Sequence, residues 1–163
     1  MLVNHAIVTN LEGRGVNIIQ SRVYDTMWNG TRIMAENIAN GICQADKEVN
    51  VKLFNAATSD KNDVVTEIFK SKVLLLGSPT INNGIQTSIA ALLEELKGLK
   101  LKNKKASCFG CYGWSGEGNN ILSEQLQLAG FDLIDPGIKA LWNPNQEAIN
   151  ACRDYGVMLV GKV

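Results

Sequence analysis

Two stretches of the chain combine residue types that could hold a ligand. In "YDTMWNGTR", Tyr24–Arg32, Thr26 and Thr31 offer hydroxyls, Gly30 lets backbone pass close to a bound group, and a helix-period segment starts at once. The free N–H groups of that first helical turn would converge with the hydroxyls on an uncharged cradle for a phosphate. The Lys of a P-loop is missing, so a nucleoside triphosphate with magnesium does not fit. Taken alone, the stretch serves equally well as an Asn29-Gly30 turn followed by a helix capped by Thr31. In "FGCYGWSGEG", Phe109–Gly118, the rings of Tyr112 and Trp114 stand between Gly110, Gly113 and Gly116. Such rings could bury a planar heteroaromatic ligand, and Trp28 and Ile81 could add to the box.

These loops need elements to bring them together. "TRIMAENIANGICQ" places Met34, Ile38 and Ile42 one turn apart, the stripe of a helix laid on a sheet. "VNVKLFNA" alternates as a half-buried strand, and "NDVVTEIFKS" follows as a helix opened by Asn62 or Asp63. "KVLLLGSPT" is a continuous apolar run, expected of a strand covered on both faces and ended by Pro79. "IQTSIAALLEELKGL" is a third helix, "KKASCFGCYGWSG" a buried strand running into glycines, and "NNILSEQLQLAG" a helix stopped by Gly130. "FDLIDPGIKALW" reads as a last strand broken at Asp135-Pro136-Gly137. A closing helix carries Ala148, Cys152, Tyr155 and Leu159 on one side, weakened by Gly156 by about 1 kcal/mol relative to Ala.

Repeated strand–helix alternation predicts one α/β domain over residues 1–163, a doubly wound five-stranded parallel sheet in the order 2-1-3-4-5. In that topology the loops after strands 1, 3 and 4 meet at the carboxyl edge: "TMWNGT", "SPTINNG" and "GCYGWSGEG". All three are rich in hydroxyl, amide and glycine residues. Residues 1–20 are atypical. "VNIIQSRVY" should form the central strand, yet Gln20, Ser21 and Arg22 fall where both faces should be apolar. Either Val23 and Tyr24 close a short strand, or "HAIVTN" supplies part of the sheet across a Gly13–Gly15 turn. "GRGVNI" is no dinucleotide fingerprint, because the third glycine is missing and no helix follows.

Sixteen basic and sixteen acidic residues cancel, which argues against nucleic acid as a partner. The lysine-rich "KLKNKKA" reads as a solvated strand entrance. No apolar stretch approaches the roughly 20 residues that cross a bilayer, and no secretory leader is visible, so the cytoplasm is expected. Cys43, Cys108, Cys111 and Cys152 form no disulfide framework. Cys108-x-x-Cys111 lacks the second pair a zinc or rubredoxin-type site needs, and the single His5 cannot build a metal centre, so two structural thiols are expected.

A flat heterocycle and one phosphate at the switch point of such a sheet describe flavin mononucleotide (FMN). "YDTMWNGTRIMAENIANGI", "LLLGSPTINNGI" and "ASCFGCYGWSGEG" resemble the flavodoxin-like domain of the flavodiiron proteins, the anaerobic nitric oxide and oxygen reductases that include flavorubredoxin. The likeness runs from about Tyr24 to the C-terminus. It implies that Thr26, Met27, Trp28, Asn29, Gly30 and Thr31 hold the FMN phosphate. It likewise implies that Pro79, Thr80, Ile81, Asn82, Asn83 and Gly84 line the ribityl and ring side. Phe109, Gly110, Cys111, Tyr112, Gly113, Trp114 and Gly116 would then flank the isoalloxazine. Loop 1 departs in reading Asn29-Gly30 where many such loops have Gly before Asn.

The resemblance implies an electron carrier, fed by a reductase or rubredoxin-like donor and discharging to an acceptor such as a diiron centre. No side chain is expected to act as acid, base or nucleophile, though Glu117 or Asp25 near the ring could lower its potential. With one His and no β-lactamase-like domain, this chain would not itself reduce the gas. A small net charge suits a docked domain or a homodimer better than a freely diffusing carrier. A stand-alone FMN-dependent quinone reductase and a truncated remnant of a flavodiiron protein are the alternatives. A response-regulator receiver is disfavoured because "LLLGSPT" ends without a phosphorylatable Asp.

Overall fold

The structure, a computed structural model, describes residues 20–162. Strand β1 (Gln20–Tyr24) lies at the centre, parallel to β2 (Val51–Asn55) on one side and to β3 (Val73–Gly77) on the other. β4 (Lys105–Tyr112) pairs with β3, and its far edge takes two short pieces, β5 (Asp132–Leu133) and β6 (Ile138–Leu141). Among the described residues the sheet thus has six strands in the order β2-β1-β3-β4-β5, with β6 also on β4. β5 and β6 are one strand position interrupted at Asp135–Gly137, where Gly137 takes φ +83. The expected 2-1-3-4-5 order holds, with its fifth strand in two parts.

Both faces of the sheet are covered. α2 (Lys61–Lys70), α3 (Thr87–Leu99) and α4 (Gly118–Leu128) press Ile68, Leu93 and Leu122 onto Val23, Leu74, Leu76 and Cys108. α1 (Gly30–Ala45) and α5 (Gln146–Val160) press Met34, Ile38, Cys152 and Leu159 onto Tyr24, Leu53, Leu75 and Phe109. Alternation along β3 sends Leu74 and Leu76 to one core and Val73 and Leu75 to the other, which is why its sequence is apolar without a break.

β1 is central despite its polar composition, and Ser21 is fully buried in it. The alternative in which "HAIVTN" joins the sheet lies outside the described residues, as do His5 and "GRGVNI". α2 begins earlier than expected: Asp60 is its cap, accepting from the Asn62 and Asp63 backbone N–H groups. Gly156 sits where α5 crosses α1; a Cβ there would lie 2.3 Å from the Ile38 carbonyl oxygen, and one on Gly41 would lie 2.0 Å from that of Arg153. These two glycines let the helix backbones touch. Gly130, at φ +93, follows α4 as the expected C-terminal glycine.

Lys104 of the lysine-rich run is half-buried, its ammonium donating to the Phe69 and Ser71 carbonyls at the end of α2. Burial pushes its pKa down. It anchors two elements rather than standing free in water.

Candidate functional site

At the carboxyl edge the strand pairings continue into the loops and hold them together. The Asp25 N–H donates to the Gly77 carbonyl at 3.1 Å, Thr80 N–H to Cys111 at 2.9 Å, and Trp142 N–H to Tyr112 at 2.7 Å. Four loops therefore bound a cleft of about 830 Å³, within the usual range for small-molecule sites. Of the predicted residues, Met27, Trp28, Gly30, Pro79, Thr80, Ile81, Asn82, Asn83, Cys111, Tyr112, Gly113 and Trp114 form its wall. Thr26, Asn29, Thr31, Gly84, Phe109, Gly110 and Gly116 stand behind or beside it.

Loop 1 is built to leave donors unused. Asn29 takes a left-handed backbone (φ 65) that turns the chain into α1, and no side chain caps that helix. Thr31 is not its cap: the residue is buried one position inside the helix, with its hydroxyl 3.2 Å from the Cys111 sulfur. The Thr26 hydroxyl oxygen is buried and has no hydrogen-bond partner among the described residues. It is one of four such atoms among the described residues, the others belonging to Ser21, Glu117 and Asp135, and it lies next in sequence to the cleft-lining Met27. Asp25 is occupied elsewhere, accepting from Thr26 N–H at 2.6 Å and from the Ser88 hydroxyl at 2.5 Å. It fastens loop 1 to α3 rather than facing the cleft.

Loop 3 is a tight hairpin. Ile81 and Gly84 exchange backbone hydrogen bonds of 3.1 and 2.7 Å around Asn82 and Asn83, both left-handed at φ 49 and 57. Two consecutive positive φ values are the demand of a type I′ turn, and asparagine meets it well. Thr80 accepts from the Gly118 N–H at 3.1 Å and so docks the start of α4.

Loop 4 uses its glycines on the domain's own rings. A Cβ on Gly113 would meet the Trp142 ring at 3.0 Å, and one on Gly116 (φ +74) the Tyr112 ring at 3.1 Å. Gly110 makes room for the Ser78 carbonyl, and Phe109 is fully buried beneath Gly77. Trp114 is 88% exposed and Trp28 76% exposed at the rim. The Lys139 ammonium lies 5.9 Å from the Tyr112 ring centroid, behind the cleft wall.

Ser115, within the predicted Phe109–Gly116 stretch, also lines the cleft, as do Trp142 and Asn143, which sequence reasoning passed over. Trp142 and Asn143 come from the loop after β6, an edge loop not counted; a Trp-Asn-Pro directly after a strand was the available signal. The Cys108-x-x-Cys111 pair is neither a disulfide nor a redox pair. Residues three apart on a strand face opposite sides, so Cys108 enters one core and Cys111 borders the cleft. Burial pushes the Cys108 thiol up to about 11 and raises Cys111 as well.

Residues 23–156 match the model of the Flavodoxin family. The chain is 50% identical over 134 residues to the anaerobic nitric oxide reductase flavorubredoxin of Escherichia coli O1:K1, covering 82% of this chain and 28% of that one. Among solved structures it superposes on the rubredoxin oxygen:oxidoreductase of Desulfovibrio gigas with a TM-score of 0.78, at 31% identity over 86% of this chain and 36% of that one. The flavodiiron protein of Giardia intestinalis gives 0.80 at 29% identity, over 88% and 35% of the two chains. The chain thus spans little more than a third of these relatives at most. Fold, loop geometry and these matches agree that the chain belongs to the flavodoxin family, as an FMN-binding electron-transfer domain similar to the flavin module of flavodiiron proteins.

Proposed function

We propose that the cleft holds FMN with its phosphate against loop 1 and its ring between loops 3 and 4, and that the domain relays electrons to a partner redox centre. The buried, unpartnered Thr26 hydroxyl beside an uncapped helix N-terminus carries this reading. It is the donor set a dianionic phosphate needs, with no lysine to demand a nucleotide triphosphate. Tyr112 and Trp114 of loop 4, with Trp28 of loop 1, give a flat ligand aromatic cover in the same cleft.

Bound FMN supplies the redox chemistry, and the protein supplies position and electrostatics. Thr26 and the first-turn N–H groups of α1 fix the phosphate end. Asp25, through Ser88, keeps loop 1 in place. Lys139 puts a positive charge behind Tyr112. No side chain at the site is asked to move a proton.

The E. coli relative is named as a flavorubredoxin and the Giardia relative as a flavodiiron protein, which supports a diiron domain as acceptor and a rubredoxin-like protein or reductase as donor. The near-zero net charge favours short-range docking to such a partner, or a homodimer, in the cytoplasm. The visible spectrum of protein purified from cells, with the heat-released chromophore identified, tests this. FMN in one equivalent is expected. Protein that is colourless and takes up no FMN contradicts the reading, and steady turnover of NAD(P)H and a quinone without a partner protein would replace it with a stand-alone reductase.

A further inference from the structure

The loop after β6 was not anticipated at the site, and its geometry asks for an explanation. Trp142 has a left-handed backbone (φ 54), a conformation that disfavours a bulky residue. It nevertheless carries the largest side chain available, and that side chain is 56% exposed, so core burial does not account for it. Three contacts hold it there. Its N–H donates to the Tyr112 carbonyl at 2.7 Å, Gly113 leaves space against its ring, and its ring meets Trp114 edge-on with centroids 5.1 Å apart at 75°. Strained residues that persist against their own preference gather at ligand sites.

We infer that the loop after β6 forms a fourth wall of the cofactor site, in which Trp142 is a positioning residue that holds the Trp114 ring in place for the flat face of the bound ligand. This rests on the FMN reading above. With Trp142 edge-on against it, the Trp114 ring is still 88% exposed, so the contact limits its rotamers while leaving its face open, and less freedom remains to be lost when the ligand stacks. Gly113 is then small because the supporting ring passes over it, and the Trp142–Tyr112 backbone bond couples both aromatic residues of loop 4 to this wall.

FMN titrations of flavin-free wild type, W142N, W114A and the double variant, followed by loss of flavin fluorescence, test the inference. Asparagine tolerates the left-handed backbone, so W142N removes the ring and leaves the turn. W142N is expected to weaken FMN binding about fivefold to tenfold, the worth of one aromatic pair. The double variant should bind no more weakly than W114A, because Trp142 acts through Trp114. The near-UV circular dichroism of the flavin-free protein should lose its paired-tryptophan signal in either single variant. Wild-type affinity in W142N, or losses that add in the double variant, overturns the inference while leaving the FMN reading intact. Wild type that binds no FMN overturns both. If W142N does not fold, G113A decides: its Cβ would push the Trp142 ring from 3.0 Å, and unchanged FMN affinity with an unchanged dichroism signal overturns the role.

Discussion

Substituting alanine at Gly156 sets intrinsic helix preference against packing, and the structure decides the sign. Preference alone makes G156A stabilising by about 1 kcal/mol, since the residue lies inside α5. The new methyl would sit 2.3 Å from the Ile38 carbonyl oxygen, 2.9 Å from the Ile42 nitrogen and 3.1 Å from the Gly41 Cα. Reaching ordinary contact requires α1 and α5 to separate by about 1 Å, and the atoms struck are backbone, which cannot swing aside. Overpacking of this kind costs about 1–3 kcal/mol, and backbone obstruction puts this case at the upper end. The expected net is a loss of about 2 kcal/mol, or roughly 4–8 °C in Tm for a chain of this size. Gly98 is the control: it lies in α3 and a Cβ there meets nothing within 4 Å. G98A should gain about 0.5 kcal/mol, less than the full preference because it is near the helix end. Urea unfolding of both variants, monitored by far-UV circular dichroism, checks the pair. G156A as stable as wild type would refute the claim that the α1–α5 crossing depends on backbone contact.

The Tyr155 hydroxyl donates to Asp135 at 2.6 Å, beside a 2.7 Å bond from Ser107 and 2.9 Å from the Gly137 N–H; Y155F should cost about 2 kcal/mol in the same unfolding assay. Burial pushes the Asp135 carboxyl up, but those hydrogen bonds and the Lys162 charge outweigh it and hold its pKa below the ordinary value. Its contribution is therefore complete at neutral pH and lost as pH falls below about 4; the acid limb of a stability–pH curve should be shallower in D135N. A thiol reagent at pH 8 should find one fast cysteine, exposed Cys43, with Cys108, Cys111 and Cys152 slow, and mild oxidant should give no Cys108–Cys111 disulfide by non-reducing mass analysis. With FMN bound, K139Q should lower the two-electron reduction potential by about 10 mV, equivalent to about 0.5 kcal/mol for an exposed cation near an aromatic ring, as read by equilibrium redox titration.

Element order and the edge at which the loops converge were legible in the sequence because helical stripes and the unbroken "VLLLG" run are local signals. β1 was less legible. Its place comes from pairing with β2 and β3 along all five residues, a tertiary fact that overrides the polarity of Ser21. The cap of α2 was misplaced by two or three residues because Asp60, Asn62 and Asp63 all suit the role, and only the bonds to the Asn62 and Asp63 N–H groups choose among them. The site glycines were read as openings toward a ligand. At Gly113 and Gly116 the space is taken by the protein's own aromatic rings, which no local pattern reveals. Trp142 was passed over for the same reason: its partners, Gly113 and Trp114, are distant in sequence and meet it only because β6 pairs with β4.

The location of the phosphate end can be tested with two ligands that differ only there. Flavin-free wild type and T26V are titrated with FMN and with riboflavin, which has the same ring and no phosphate. A charge-assisted hydrogen bond is worth about 1.5–3 kcal/mol, so T26V should bind FMN about tenfold to a hundredfold more weakly. Its affinity for riboflavin should match that of wild type. Equal affinity of wild type for the two flavins, or a T26V loss of the same size for both, would contradict a phosphate seat at loop 1.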